Sequence, residues 1–128
     1  MIVELPVSIG ELIDKISILL IKKNNIKDQN KIIYIDKELL SLQKILNDAK
    51  LNSNKIDLYL KQLNDINSKL WDIEDSIRDF EKNNIFDKNF IELARSVYKN
   101  NDIRAKIKKN INKEFNSEII EVKSYHNY

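Results

Sequence analysis

From Ile56 to Phe80 an apolar residue fills every a and d position of four successive heptads: Ile56, Tyr59, Leu63, Ile66, Leu70, Ile73, Ile77 and Phe80. Alternating steps of three and four keep these side chains on one stripe of an α-helix, whereas a strand would scatter them over both faces. The stretch predicts a helix of roughly 40 Å, at 1.5 Å per residue, with an apolar stripe that needs a partner. "EKNNIFD" interrupts it, and Asp87 is placed to cap a second long helix to about Phe115.

The remaining chain continues the pattern. "MIVELPV" alternates apolar and polar residues, and Pro6 biases Leu5 away from helix, so it is expected to be extended. "SIGE" reads as a capping box, with Ser8 as N-cap and Glu11 reaching back. The first helix then runs to about Asn25 with Ile9, Leu12, Ile13, Ile16, Leu19 and Leu20 inward. A second starts after Asp28 and ends near Ala49 on the seam Ile32, Ile35, Leu39, Leu42, Leu46 and Ala49; Ser53 or Asn54 caps the third. Short connections between long amphipathic helices imply antiparallel neighbours. The expectation is an all-α, four-helix antiparallel bundle, one domain over residues 1–128, with the second and third helices as its long hairpin. "IIEVKSY" near the C-terminus and "IVELPV" at the N-terminus are candidates for a short β-ribbon, a pairing that is marginal without a helix beneath it.

Composition removes several function classes. The 22 basic and 20 acidic residues leave +2, which argues against a general nucleic-acid binder. With no Cys there are no disulfides, thiolate metal sites or Cys nucleophile, in keeping with a reducing compartment. "ISILLI" is far shorter than the about 20 residues a membrane span requires, and the N-terminus lacks the pattern of a signal peptide. A soluble, cytoplasmic protein is expected. His126 stands alone in the tail, Ser96 and Ser124 lack a base, and no Gly-rich phosphate loop is present.

The informative residues are polar ones on apolar faces. The stripe of Phe90, Leu93, Ala94 and Val97 leads on to Asn101, Arg104 and Lys108, while Lys99, Asp102, Lys106, Lys109 and Lys113 form the opposite face. A guanidinium cannot be neutralised, and burying one unpaired costs several kcal/mol, roughly. Arg104 therefore has a carboxylate partner (Glu74 or Asp75 on the third helix, Glu74 foremost), a bound anion, or an escape to solvent. Asn67, Trp71, Glu74 and Arg78 flank the third helix's seam, and Glu74 and Arg78 can pair along it. The candidate ligand-binding set is Trp71, Glu74, Arg78, Arg95, Tyr98, Asn101, Arg104 and Lys108. Glu11 and Asp14 would orient the cations or, in an enzyme, hold a metal, although Asp14 also suits the first helix's dipole.

The segments "PVSIGELIDKISIL", "LWDIEDSIRDFE", "FIELARSVYKNNDIRAKIKKNIN" and "EVKSY" together resemble a family of short helical proteins of unknown function from bacteria and some of their viruses. The resemblance implies no catalytic residues. It does imply that Glu11, Asp14, Lys15, Trp71, Glu74, Asp75, Arg78, Arg95, Tyr98, Asn101, Asp102 and Arg104 belong to the family pattern. It further implies a link to nucleotide-sugar or glycan pathways, through relatives in bacteria rich in surface polysaccharides.

Three functions compete. A non-enzymatic module would take an anionic, phosphate- or nucleotide-sugar-like ligand, or a protein partner, on the Arg/Lys/Trp/Tyr cluster, without a cofactor. A Mg²⁺-dependent nucleotide pyrophosphohydrolase would use acidic pairs one turn apart, as in Glu11/Asp14 or Asp72/Asp75, but the denser acidic motif of such enzymes is missing. A purely structural protein would dimerise through its long seams, and the seams make a homodimer the expected state.

Overall fold

A computed structural model describes residues 1–128 as four helices, with 73% of the chain helical and no strand. They are α1 (Ile9–Asn25), α2 (Gln29–Asp48), α3 (Ser53–Lys82) and α4 (Lys88–Glu114). Each opens on a side-chain cap: Ser8, Asp28, Asn52 and Asp87 accept from a backbone N–H two or three residues on. The third cap is Asn52, one residue before the expected Ser53. Beyond α2, α3 and α4 the chain turns through a left-handed residue, Lys50, Asn84 or Asn116, with φ of 52°, 54° and 53°. Asn tolerates this region because its short polar side chain bonds locally. At the end of α4 the turn is a Schellman motif, with Asn116 N–H donating to Lys113 O (3.4 Å) and Ser117 N–H to Asn112 O (2.8 Å).

The long hairpin is made by α3 and α4, which run antiparallel from Lys55–Glu114 (3.2 Å) at one end to Phe80 against Phe90 (6.5 Å between centroids) at the other. This corrects the expected hairpin of the second and third helices: no Cα of α2 lies within 8 Å of one in α3 or α4. A heptad seam says which face is buried but not against which helix. α1 touches all three others and lies between α2 and the hairpin. The core gathers on it, with Ile13, Leu63 and Ile111 fully buried and Ile35, Leu39 and Leu46 closing it from α2.

Two features of this architecture position the site. Gly10, the single glycine, brings α1 hard against α4: a Cβ there would stand 2.6 Å from the Lys108 carbonyl oxygen and 2.9 Å from Asn112 Oδ1. And α1, about 25 Å long, ends well before the hairpin of roughly 45 Å does. From Trp71 to Ile107 no residue is fully buried, and beyond the end of α1 this part of the hairpin stands out as an arm. The expected β-ribbon is absent. Residues 1–7 and 118–128 carry no regular structure; the C-terminal segment lies instead along α4, held by Glu121 on Lys108 and by Tyr128 on Asp102 (2.6 Å).

Candidate functional site

The apolar face of α1 carries a polar seam, Glu11, Asp14 and Ser17, spaced by three so that each looks toward the α3–α4 groove. Asp14 and Ser17 are completely buried. Asp14 receives Arg104 through Nε (3.1 Å to each oxygen) and through Nη2, and accepts a further bond from Asn67 Nδ2 at 2.9 Å. Asn67 also donates to Ser17 Oγ (3.2 Å), which donates to Asn64 Oδ1 (2.8 Å). One turn away Lys108 Nζ sits 2.6 Å from Glu11 and 3.2 Å from Glu121, with Asp14 at 3.7 Å. Every buried charge thus has an opposite charge and further hydrogen bonds, the condition under which burial is tolerable.

Asp14 is therefore the partner of Arg104, and the expected pairing with Glu74 is corrected. Glu74 is two helical turns farther along α3 and is bonded by Arg78 on the half-exposed surface. Register between α3 and α4 places Asn67, not Glu74, level with Arg104. The capping box is likewise half formed: Ser8 accepts from Glu11 N–H (3.1 Å), but the Glu11 carboxylate goes to Lys108. The donors at the start of α1 are satisfied from α4 instead. Ser117 Oγ accepts from Ile9 N–H (3.1 Å) and Asn112 Oδ1 from Gly10 N–H (2.7 Å), two side chains that the Schellman turn sets side by side.

Arg104 is shared by two clefts. One, of about 450 Å³, lies between α1, α3 and α4 and is lined by Ile18, Trp71, Glu74, Arg78, Asn101 and Arg104. The other, of about 1110 Å³, lies between α4 and the C-terminal segment, with Tyr98, Asn101, Arg104, Lys108, Lys123, Tyr125, His126 and Tyr128 among its walls. The candidate residues are thus divided. Trp71, Glu74 and Arg78 line the first, Tyr98 and Lys108 the second, and Asn101 and Arg104 both; Arg95 lines neither and pairs with Glu92 (3.3 Å) in solvent.

The two clefts differ electrostatically. In the smaller, Glu74 and Asp75 oppose Arg78 and Arg104. In the larger, Asp102 is the one acidic side chain on the lining and is already bonded by Tyr128, while Lys108 and Lys123 on its walls both reach Glu121 at its edge. No hydrogen bond within the chain uses Arg104 Nη1. The hydrogen bonds it donates to Asp14 hold the Arg104 guanidinium above its usual pKa against desolvation, so it stays charged. Burial pulls Lys108 down, but bonding to Glu11 and attraction to Asp14 outweigh it and leave the ammonium raised. Glu11 and Asp14, the metal candidates, each carry a cation from α4, and no three His, Cys, Asp or Glu side chains converge to hold a metal ion.

Sequence reasoning did not find the roles of Gly10, Ser17, Asn112, Ser117, Glu121 and Lys123. A glycine inside a helix costs about 1 kcal/mol relative to Ala, and that unexplained cost was the available signal for Gly10. Nothing in the tail's composition marked Glu121. Its carboxyl is held below the usual carboxylate range by hydrogen bonds from Lys108 and then Lys123. A value lowered by docking favours the docked segment at every pH above the free carboxyl's value, near 4.3, and that contribution is lost as pH falls through the lowered one. The ¹⁵N relaxation of residues 120–128 is expected to report a rigid segment at neutral pH and a freed one in acid, below the usual carboxylate range. In Glu121→Gln that acid step should be missing.

The chain belongs to the Family of unknown function (DUF6165), whose model matches residues 1–128. No curated protein and no solved structure matches it.

Proposed function

For this member of the family we propose a non-catalytic role: a helical module that binds an anionic, ring-bearing ligand of the phosphate or nucleotide-sugar kind in the cleft between α4 and the C-terminal segment. The observation that carries the reading is the place of Glu121. A carboxylate lent by an extended segment rests on Lys108 (3.2 Å) and Lys123 (3.2 Å), marking where negative charge is favourable and exchangeable. A ligand phosphate would take that position. Arg104 Nη1 and Asn101 would supply directional donors, as guanidinium forks do for phosphate, and Tyr98 and Tyr128, edge to face at 4.9 Å, an aromatic wall. Trp71, Glu74 and Arg78 line the neighbouring cleft that shares Arg104. A cysteine-free chain with no helix able to cross a membrane suits a cytoplasmic pool of such ligands.

The test is a thermal-shift series with inorganic phosphate, a nucleoside diphosphate and a nucleoside-diphosphate sugar, each with and without Mg²⁺. Ligand at a hundredfold excess over its Kd contributes about 2.7 kcal/mol, a rise of roughly 10 °C for a chain of this size. Arg104→Met and Lys123→Met should lose the shift, and Glu121→Gln, which removes the competing carboxylate, should strengthen it. No shift with any probe, or one indifferent to all three substitutions, overturns the reading. A shift that requires Mg²⁺ and is lost in Asp14→Asn would replace it with the phosphohydrolase alternative.

A further inference from the structure

The arm formed by residues 71–107 has no buried residue, yet its seam is apolar. Ile77, Phe80 and Phe90 are only partly buried, while Ile85, Phe86 and Ile91 are 39%, 54% and 53% exposed. Two helices can bury one stripe between them, and a second layer is needed to close the rest. The whole chain shows the same deficit: it exposes 9597 Å², against about 7,100 Å² expected of a compact protein of its mass. The extended termini and the exposed apolar residues of α2, among them Ile33, Tyr34 and Leu40, share this excess with the arm.

Charge says what covers it. On the arm, α3 from residue 71 to 82 carries five acidic and two basic side chains, and α4 from residue 88 to 99 carries one acidic and three basic. These opposite charges do not pair across the two helices within the chain: the arm's ion pairs, Glu74–Arg78 and Glu92–Arg95, each lie inside one helix. We propose that a second copy of this chain covers the arm, α3 of each copy lying against α4 of the other in a two-fold four-helix bundle. This arrangement sets the acidic helix segment against the basic one twice over and closes the apolar surface around Phe86 and Ile91. Like-to-like pairing of the same helices would repel, so the charge pattern also selects the orientation. The surface is isologous and closes at two copies, which excludes filaments.

Analytical ultracentrifugation of the full chain should give twice the 15.2 kDa chain mass at micromolar concentration. Asp72→Lys/Asp79→Lys and Lys88→Glu/Lys99→Glu, all exposed positions, should each return the single-chain mass with unchanged helicity by circular dichroism. Mixing the two variants should restore the doubled mass, since each then offers what the other lacks. A wild-type mass of one chain overturns the proposal, as does a dimer indifferent to the reversals, which would place its interface elsewhere. None of these outcomes depends on the anion site, because the reversed residues lie outside both clefts.

Discussion

Asp14→Ala is expected to lower stability by about 3–5 kcal/mol, the largest single loss available to this chain outside its apolar core. The carboxylate is fully buried, so its removal strands Arg104, takes one partner from Lys108 and leaves Asn67 short of an acceptor. Arg104→Met should cost less, because Asn67 and Lys108 still answer the carboxylate and the guanidinium is itself 27% exposed. Glu74→Ala, which breaks a pair on the surface, should cost about 1 kcal/mol or less. Urea midpoints measure all three. A double-mutant cycle should show strong coupling between Asp14 and Arg104 and almost none between Glu74 and Arg104. Equal losses for Asp14→Ala and Glu74→Ala would mean that the buried network does not form.

Gly10→Ala should also destabilise, by about 2–4 kcal/mol, although the same change in an open helix stabilises by about 1 kcal/mol. The added methyl has no room. It meets the Lys108 carbonyl oxygen at 2.6 Å, and that backbone oxygen can retreat only by moving α4. Parting the helices stretches the Gly10 N–H bond to Asn112 as well, so an overpacking cost of about 1–3 kcal/mol is joined by a poorly satisfied buried donor. Urea unfolding gives the size, and faster amide exchange at Ile9 and Gly10 would locate the damage. A stabilised variant would show that α1 and α4 stand farther apart.

How much of this was legible in the sequence depended on whether a feature was local. Helix limits were, since caps such as Asp28 and Asp87 and breakers such as "KNNI" act within a few residues. The inward turn of Arg104 and Lys108 was legible too, because the stripe from Phe90 carries them to the same face as Ile111. Their partners were not. Choosing Asp14 over Glu74 requires knowing that α1 lies in the α3–α4 groove and at what height, and periodicity contains neither quantity. α2 illustrates the same limit: its seam is genuine, with Ile35, Leu39 and Leu46 buried, but it packs on α1 rather than on α3. The larger cleft was invisible because one of its walls is an extended segment with no periodic pattern.

The way α1 begins has a consequence for how the chain is made. Ile9 and Gly10 lend their amide protons to Ser117 and Asn112, groups 108 and 102 residues downstream. A ribosome delivers α1 before those acceptors, so until α4 is made the start of α1 lacks its closing bonds, and the acid at Asp14 waits for Arg104. Bringing such distant segments together carries the loop-closure entropy of nearly the whole chain, repaid only when contact is made. Folding is thereby tied to the emergence of the end of α4. Until then α1 and α2 are a provisional pair, and the last turn of the last helix acts as the latch that commits the first.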